Sequence, residues 1–261
     1  EFDSLLVNAI AFTEPLQREK VTEINARFYL GTAIGMRAFL HSDEGEWLAA
    51  IQKGFSAANY FREVIKEDST FYDAYLGKGT FDYWKSKKTE FLHWLPFIYD
   101  DRAEGIRLLE VCAARSLYNR ATAMRALIEI HLDAGNWPEA FRWIREGRTV
   151  FPDNRFFLWA SGVANMKAGH SPEAAASFRL LLENILHSMM PNPYPEISAR
   201  MNLAKALLST RDTVGAEKEL QTILRQHAFR FSLRTAQRAN AKFEEAGALL
   251  RQISLEAKGS R

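Results

Sequence analysis

The chain has 261 residues, 34 basic and 32 acidic side chains, a formal net charge of +2, 47% hydrophobic and 25% charged residues. Those proportions belong to a globular protein large enough to fold on its own core, and the near balance of charge excludes a global field that would draw a nucleic acid. Cys112 is the only cysteine, which excludes an internal disulfide or a thiolate cluster, and no apolar run approaches the roughly 18 residues of a membrane span.

Apolar residues recur at helical spacing along the chain, and no stretch alternates with the period of 2 that an exposed strand would show. Helices are predicted near 3–12, 16–41, 45–66, 71–85, 101–114, 119–134, 138–150, 155–168, 172–188, 196–209, 213–227 and 231–256. The first carries Leu5, Leu6, Ala9 and Ile10 on one face and has no helix before it to pair with, so residues 1–15 read as the orphan second helix of a truncated pair. The chain opens on Glu1 and not Met; an upstream stretch is expected, and a signal peptide, a further domain or a chosen start would each account for it.

Internal repetition sets the organisation. Pro138-Glu139-Ala140 returns as Pro172-Glu173-Ala174, an offset of 34 residues, and the turns before them are Ala134-Gly135-Asn136 and Ala168-Gly169-His170. Glycine ends a helix and proline opens the next, so each turn joins two antiparallel helices. Leu127, Ala140, Ile144, Gly147 and Pro152 fall where one such pair needs bulk, smallness or a stop, and Gly162, Ala174 and Phe178 repeat the pattern. Two stretches depart from the period. Residues 187–195 lengthen one connection by about eight residues, and 86–100 insert an aromatic segment, Phe91 to Tyr99, inside one pair.

These residues resemble the tetratricopeptide repeat, most specifically over 121–186. The stretch from Asp73 through the insertion to Gly105 is also similar to bacterial exported tetratricopeptide proteins of unassigned function, and more distantly to eukaryotic outer-mitochondrial-membrane repeat proteins with a comparable insertion. The resemblance implies an all-α, right-handed α-α superhelix of four to five helix pairs, one domain over 1–261, with 228–258 as a C-terminal capping helix. It favours export over the cytoplasm.

No catalytic constellation stands out. No two of the six histidines are three to five residues apart, so no helix face presents a metal pair, and His131 falls where the repeat usually places Tyr, a packing position. Gly77-Lys78-Gly79-Thr80 has the wrong order for a phosphate loop and no strand before it; its glycines suit close helix packing. Asp100 and Asp101 can cap the helix that follows them. Cys112 sits among Leu108, Leu109 and Val111 as a buried thiol. The expectation is a non-catalytic chain with no cofactor, no metal and no nucleic-acid partner.

In tetratricopeptide repeats the first helix of each pair lines the concave face, which implies a partner-binding groove at Tyr83, Trp84, Arg125, Glu129, Phe156, Trp159, Met166, Met201 and Lys205. The Lys, Asn and Arg set with which chaperone-tail binders of the family clamp a carboxylate is absent. Aromatic rings and adaptable Met suit an apolar or amphipathic peptide instead. The groove is either open to a protein or peptide partner or filled by the 86–100 insertion, as in a structural module of a longer repeat protein. The insertion itself, with Lys85, Lys87 and Lys88 before Trp94, Phe97 and Tyr99, offers a membrane contact through 91–99 as a further alternative. Finally, Arg230, Arg234, Arg238 and Lys242 recur every fourth residue as one cationic stripe, either a solvated cap or a dock for an acidic partner.

Overall fold

The computed structural model describes residues 2–16, 23–92, 99–188, 193–226, 229, 231 and 233–259. They form twelve α-helices: α1 (Phe2–Leu16), α2 (Glu23–Asp43), α3 (Trp47–Glu67), α4 (Ala74–Lys88), α5 (Arg102–Arg115), α6 (Arg120–Asp133), α7 (Trp137–Val150), α8 (Arg155–Lys167), α9 (Ser171–Leu186), α10 (Pro193–Ser209), α11 (Thr213–Arg225) and α12 (Leu233–Gly259). A single 3-10 turn, Glu90–Leu92, follows α4, and there is no strand among the described residues. Every predicted helix is present. The largest shift is at α2, predicted from 16 and starting at Glu23, while α1 runs on to Leu16; α10 starts three residues before its predicted position of 196, at Pro193. Proline fits the first turn of a helix because the N–H it lacks would have no partner there.

The chain forms two compact units, Glu1–Leu127 and Ile128–Arg261. In the first, α1 packs on α2, α2 on α3, α3 on α4 and α4 on α5. Phe61, Val64, Ala57 and Ala74 are buried, with Phe28, Ile24, Ile34, Ile65 and Phe71 around them. Arg27 of α2 holds Glu23 one turn away and reaches Glu67 of α3 at 2.6 Å. Helices α4 and α5 cross at two glycines. A Cβ on Gly79 would lie 2.7 Å from the carbonyl oxygen of Gly105, and one on Gly105 would lie 2.7 Å from that of Gly79. The glycines of Gly77-Lys78-Gly79 thus do the packing work expected of them. Helix α1 touches α2 along its half-buried residues and leaves Leu5, Val7 and Phe12 exposed.

In the second unit α7 packs on α8, α8 on α9, α9 on α10 and α10 on α11, while α12 contacts both α10 and α11. One continuous core runs from Leu158 and Ala174 through Phe178, Ile197, Met201, Leu220 and Ile223 to Ala239, Phe243 and Ala246. The 34-residue period is visible in three dimensions: Ala140 and Ala174 are both 0% exposed. Gly147 faces the ring of Phe157 and Gly162 the ring of Phe178 with no room for a Cβ between them.

One turn recurs. At the junctions after α2, α6, α8 and α10 a residue with positive φ reverses the chain: Gly45 (83°), Gly135 (69°), Gly169 (80°) and Arg211 (64°). In each case the next residue's N–H returns to the carbonyl five residues back, Glu46 to His41 at 2.8 Å, Asn136 to His131 at 2.9 Å, His170 to Asn165 at 2.8 Å and Asp212 to Leu207 at 2.9 Å. This bond answers a carbonyl that the helix end leaves open, and the left-handed residue it requires is cheapest as glycine. Arg211 carries a side chain in that conformation. Asp212 then caps α11 through Gly215 N–H at 2.8 Å.

The α4–α5 junction departs from this pattern because the insertion occupies it, and a polar clasp ties its two ends. Asp101 N–H donates to Ser86 Oγ at 2.9 Å, the Asp101 carboxylate pairs with Lys85, and Arg102 bridges Glu90 at 3.2 Å and Asp100 at 2.6 Å. Asp100 also accepts from Arg102 N–H at 3.1 Å, so it caps α5 as expected, whereas the Asp101 side chain makes no cap bond.

Two stability outcomes follow. Gly162→Ala forces a methyl against the buried Phe178 ring and is expected to cost about 1–3 kcal/mol, read as a lower midpoint in thermal melting followed by circular dichroism. Arg211→Gly removes a left-handed strain of roughly 1–2 kcal/mol, offset in part by the flexibility glycine gives the unfolded chain. Its midpoint should stay level or rise, and a fall would count against the strain.

Candidate partner-binding surface

Helix α8 presents the best-formed part of the expected groove. Asn154 starts it, its Oδ1 accepting from Phe156 N–H at 3.0 Å. Arg155 fixes the start sideways by donating to Asn184 Oδ1 at 2.7 Å on α9. Phe156, Trp159, Val163 and Met166 then fall on one side of the helix at 100° per residue. The Phe156 and Trp159 rings lie 5.6 Å apart and tilted by 42°. Val163 and Met166 lean on the core, while Trp159 keeps 36% of its surface exposed.

The remaining groove residues divide differently from the expectation. Met201 is 0% exposed, inside the core of the second unit. Helix α12 packs against α10, and Ala239, Phe243 and Ala246 share that core, so this position of α10 is covered by the chain itself. Lys205, one turn on, reaches Glu245 of α12 at 2.6 Å. Tyr83 is likewise interior, 4% exposed, edge-on to Trp84 at 5.2 Å and hard against the Gly79–Gly105 crossing. Burial pushes its hydroxyl pKa up; Arg102 opposes this, and Asp100 and Glu90 add to it. Tyr83 and Met201 are therefore core residues and leave the candidate surface. Trp84 is half-buried, Arg125 exposed and Glu129 half-buried.

The expected cationic stripe is only partly within view. Arg230 lies outside the described residues and of Arg234 the backbone alone is described. Arg238 is exposed, whereas Lys242 is half-buried; burial lowers its pKa, Lys205 adds to that and Glu245 works against it. The core of the insertion, 93–98, also lies outside the described residues, and with it the expectation that this segment fills the groove. Its flanks Phe91 and Tyr99 are exposed. No helix among the described residues is long and apolar enough to cross a membrane.

His41, Glu44 and Glu46 bring their ligand atoms within 4.8 Å of one another at the α2–α3 turn, where His41 Nδ1 already meets Glu46 at 2.6 Å. Cys112 is fully buried, and desolvation pushes its thiol pKa up to about 12 against a weaker opposing bond from Ser116. His131 is buried as a packing residue.

A feature that periodicity did not point to lies on the other side of α8. Arg145, Arg148 and Thr149 of α7, Ser161 and Asn165 of α8, and His170 in the turn after it line a cavity of about 550 Å3 together with Phe141, Ile144 and Pro152. The i, i+3 spacing of the two arginines was legible in the sequence, but the family pattern directs attention to the first helix of each pair and these sit on a second helix.

The Cys112 thiol has a direct readout. It is protonated at pH 7–9, well below its pKa of about 12, and buried thiols are inert. Modification by an exchange reagent should be absent in the native chain and appear with the denaturant unfolding transition; fast labelling of native protein would contradict the burial.

No family model matches the sequence, and no curated protein does. Among the solved structures that match, two share its fold over nearly the whole of this chain. The crystal structure of BtubC (BKLC) from P. vanneervenii is 16% identical with a TM-score of 0.60, the match covering 93% of this chain and 91% of that one. The crystal structure of the APC/C hetero-tetramer Cut9–Hcn1 is 14% identical with a TM-score of 0.52, covering 98% of this chain but 48% of that one, so the present chain spans about half its length. Helix pairs at a 34-residue period, closed by a recurring left-handed turn and matched by these two structures, give the chain the tetratricopeptide-repeat fold.

Proposed function

We propose that the chain is a non-catalytic scaffold that holds an apolar or amphipathic segment of another protein against the first helices of its pairs. One observation carries the reading: Trp159 sits on a helix whose ends are fixed, beside Phe156 at 5.6 Å, and still keeps 36% of a large apolar ring in water. A rigid, half-exposed indole flanked by aliphatic and Met side chains is the kind of anchor that dominates interface energies. Val163 and Met166 extend the apolar strip along the helix. The Cut9–Hcn1 likeness is to a protein assembled in a hetero-tetramer, which agrees with an interaction role for this architecture.

Placing a photo-crosslinking residue at Lys167, beside the strip, and identifying the captured peptide by mass spectrometry would supply the partner. Trp159→Ala is then expected to weaken its binding by about 2 kcal/mol or more, with the thermal midpoint little changed because the ring is partly in solvent. Unchanged affinity in Trp159→Ala would remove α8 from the binding surface.

A further inference from the structure

The cavity between α7 and α8 has a composition that the fold does not need. A helix turn below it, Arg142 pairs with Glu139 at 2.5 Å. Arg27, Arg102, Arg107 and Arg200 likewise each meet a carboxylate. Arg145 and Arg148 face the cavity and have no carboxylate within ion-pair distance among the described residues, although Arg148 is half-buried. Glu146 lies between them in sequence, but at 100° per residue it turns toward the Glu139 and Arg142 side of α7. No acidic side chain lines the cavity.

The rest of the lining is specific in two ways. Ser161, 6% exposed, forms the floor, with its hydroxyl 3.0 Å from Ser177 Oγ, and Asn165 Nδ2 donates to the Ser161 carbonyl at 2.9 Å. These bonds fix the floor in place. Phe141 and Ile144, on the same side of α7 as the two arginines, make an apolar wall with Pro152, and His170 lies against Phe141 at 6.4 Å. A cation pair over a fixed polar floor and beside an aromatic wall suits a ligand that is anionic and apolar at once.

We propose that this cavity is a second binding site, for an extended acidic protein segment with carboxylates at alternate positions and an apolar residue between them. The spacing supports that class. Side chains three apart on a helix leave it about 5–6 Å apart, and alternate residues of an extended strand are roughly 6.6 Å apart, so two carboxylates of one segment can each take one guanidinium. Guanidinium pairs with carboxylate bidentately. An apolar residue of the same segment then has Phe141, Ile144 and Pro152 to meet in the same lining. Inorganic phosphate would use the arginines but leave both that wall and most of about 550 Å3 unfilled. The site lies on the side of α8 away from Trp159 and does not depend on the apolar strip.

The test uses the whole chain and a fluorescent peptide, Glu-Leu-Glu-Leu-Glu, in anisotropy titrations at low and at near-physiological salt. The expected result is saturable binding that weakens with salt and falls about tenfold or more in the variant carrying Arg145→Glu and Arg148→Glu, while Arg225→Glu, an exposed arginine elsewhere in the second unit, and Trp159→Ala leave it unchanged. If the reversal lowers the thermal midpoint, Arg145→Gln with Arg148→Gln replaces it and is held to the same loss. Equal weakening by Arg225→Glu would reduce the effect to diffuse charge and overturn the site. So would equal binding of Gln-Leu-Gln-Leu-Gln, which would leave only apolar adhesion. Displacement of the peptide by inorganic phosphate at equal concentration would make it a phosphate site.

Discussion

Close approach of helices through glycine is the constraint on which the rest of this molecule depends. Gly77 lies under the ring of Phe61, Gly147 under Phe157 and Gly162 under Phe178, and Gly79 and Gly105 meet backbone to backbone. An aromatic ring over a bare backbone brings two helix axes together without a void, and the ring fills what the absent side chain leaves. Because the ring is donated alternately by the first and the second helix of a pair, the same contact serves within pairs and between them. Phe178 reaches back from α9 to α8, whereas Phe157 reaches from α8 to α7.

The turns are the second condition, and they determine which side chains can matter. A left-handed residue followed by a backbone bond five residues back joins the helices at four of the five pair junctions, three times with glycine and once with Arg211. Such a junction is closed by backbone bonds alone. The α4–α5 junction, where the turn is replaced, is where the chain spends charge instead: Lys85, Ser86, Glu90, Asp100, Asp101 and Arg102 hold the two ends of the insertion together.

Most of the fold was legible because the devices that make it are local. Gly135 and Gly169, then Pro138 and Pro172, stand 34 apart and mark turn and helix start by backbone conformation alone. Arg211 does the same job with no sequence signal, since its φ is imposed by the pair it closes. Pro193 falls in what the spacing reads as a lengthened connection, yet it opens α10, since proline is a natural first-turn residue. The candidate surface was legible only in part, and Met201 and Tyr83 show why. A position rule states which side of its own helix a residue occupies, but not whether a later helix covers that side. Helix α12 covers Met201, and the tight Gly79–Gly105 crossing encloses Tyr83. Among the described residues nothing comparable lies over Trp159, which keeps 36% of its surface exposed.

Helix α8 thus has two faces with opposite chemistry, one proposed to hold an apolar segment and the other to border an acidic one. At 100° per residue, Phe156, Val163, Trp159 and Met166 group on one side and Ser161 and Asn165 on the other, while Ala160, Ala164, Phe157 and Leu158 pack between them. Thirteen residues can carry both faces because the packing residues are small or aromatic and the helix is gripped on each flank, by α7 through Gly147 and by α9 through Phe178. The same grip keeps the two faces from interfering. A ligand on the apolar strip meets a polarizable surface with no charge of its own on α8 between Arg155 and Lys167, and a ligand in the cavity meets guanidinium groups that belong to α7. One helix can therefore present two chemistries without any residue serving both.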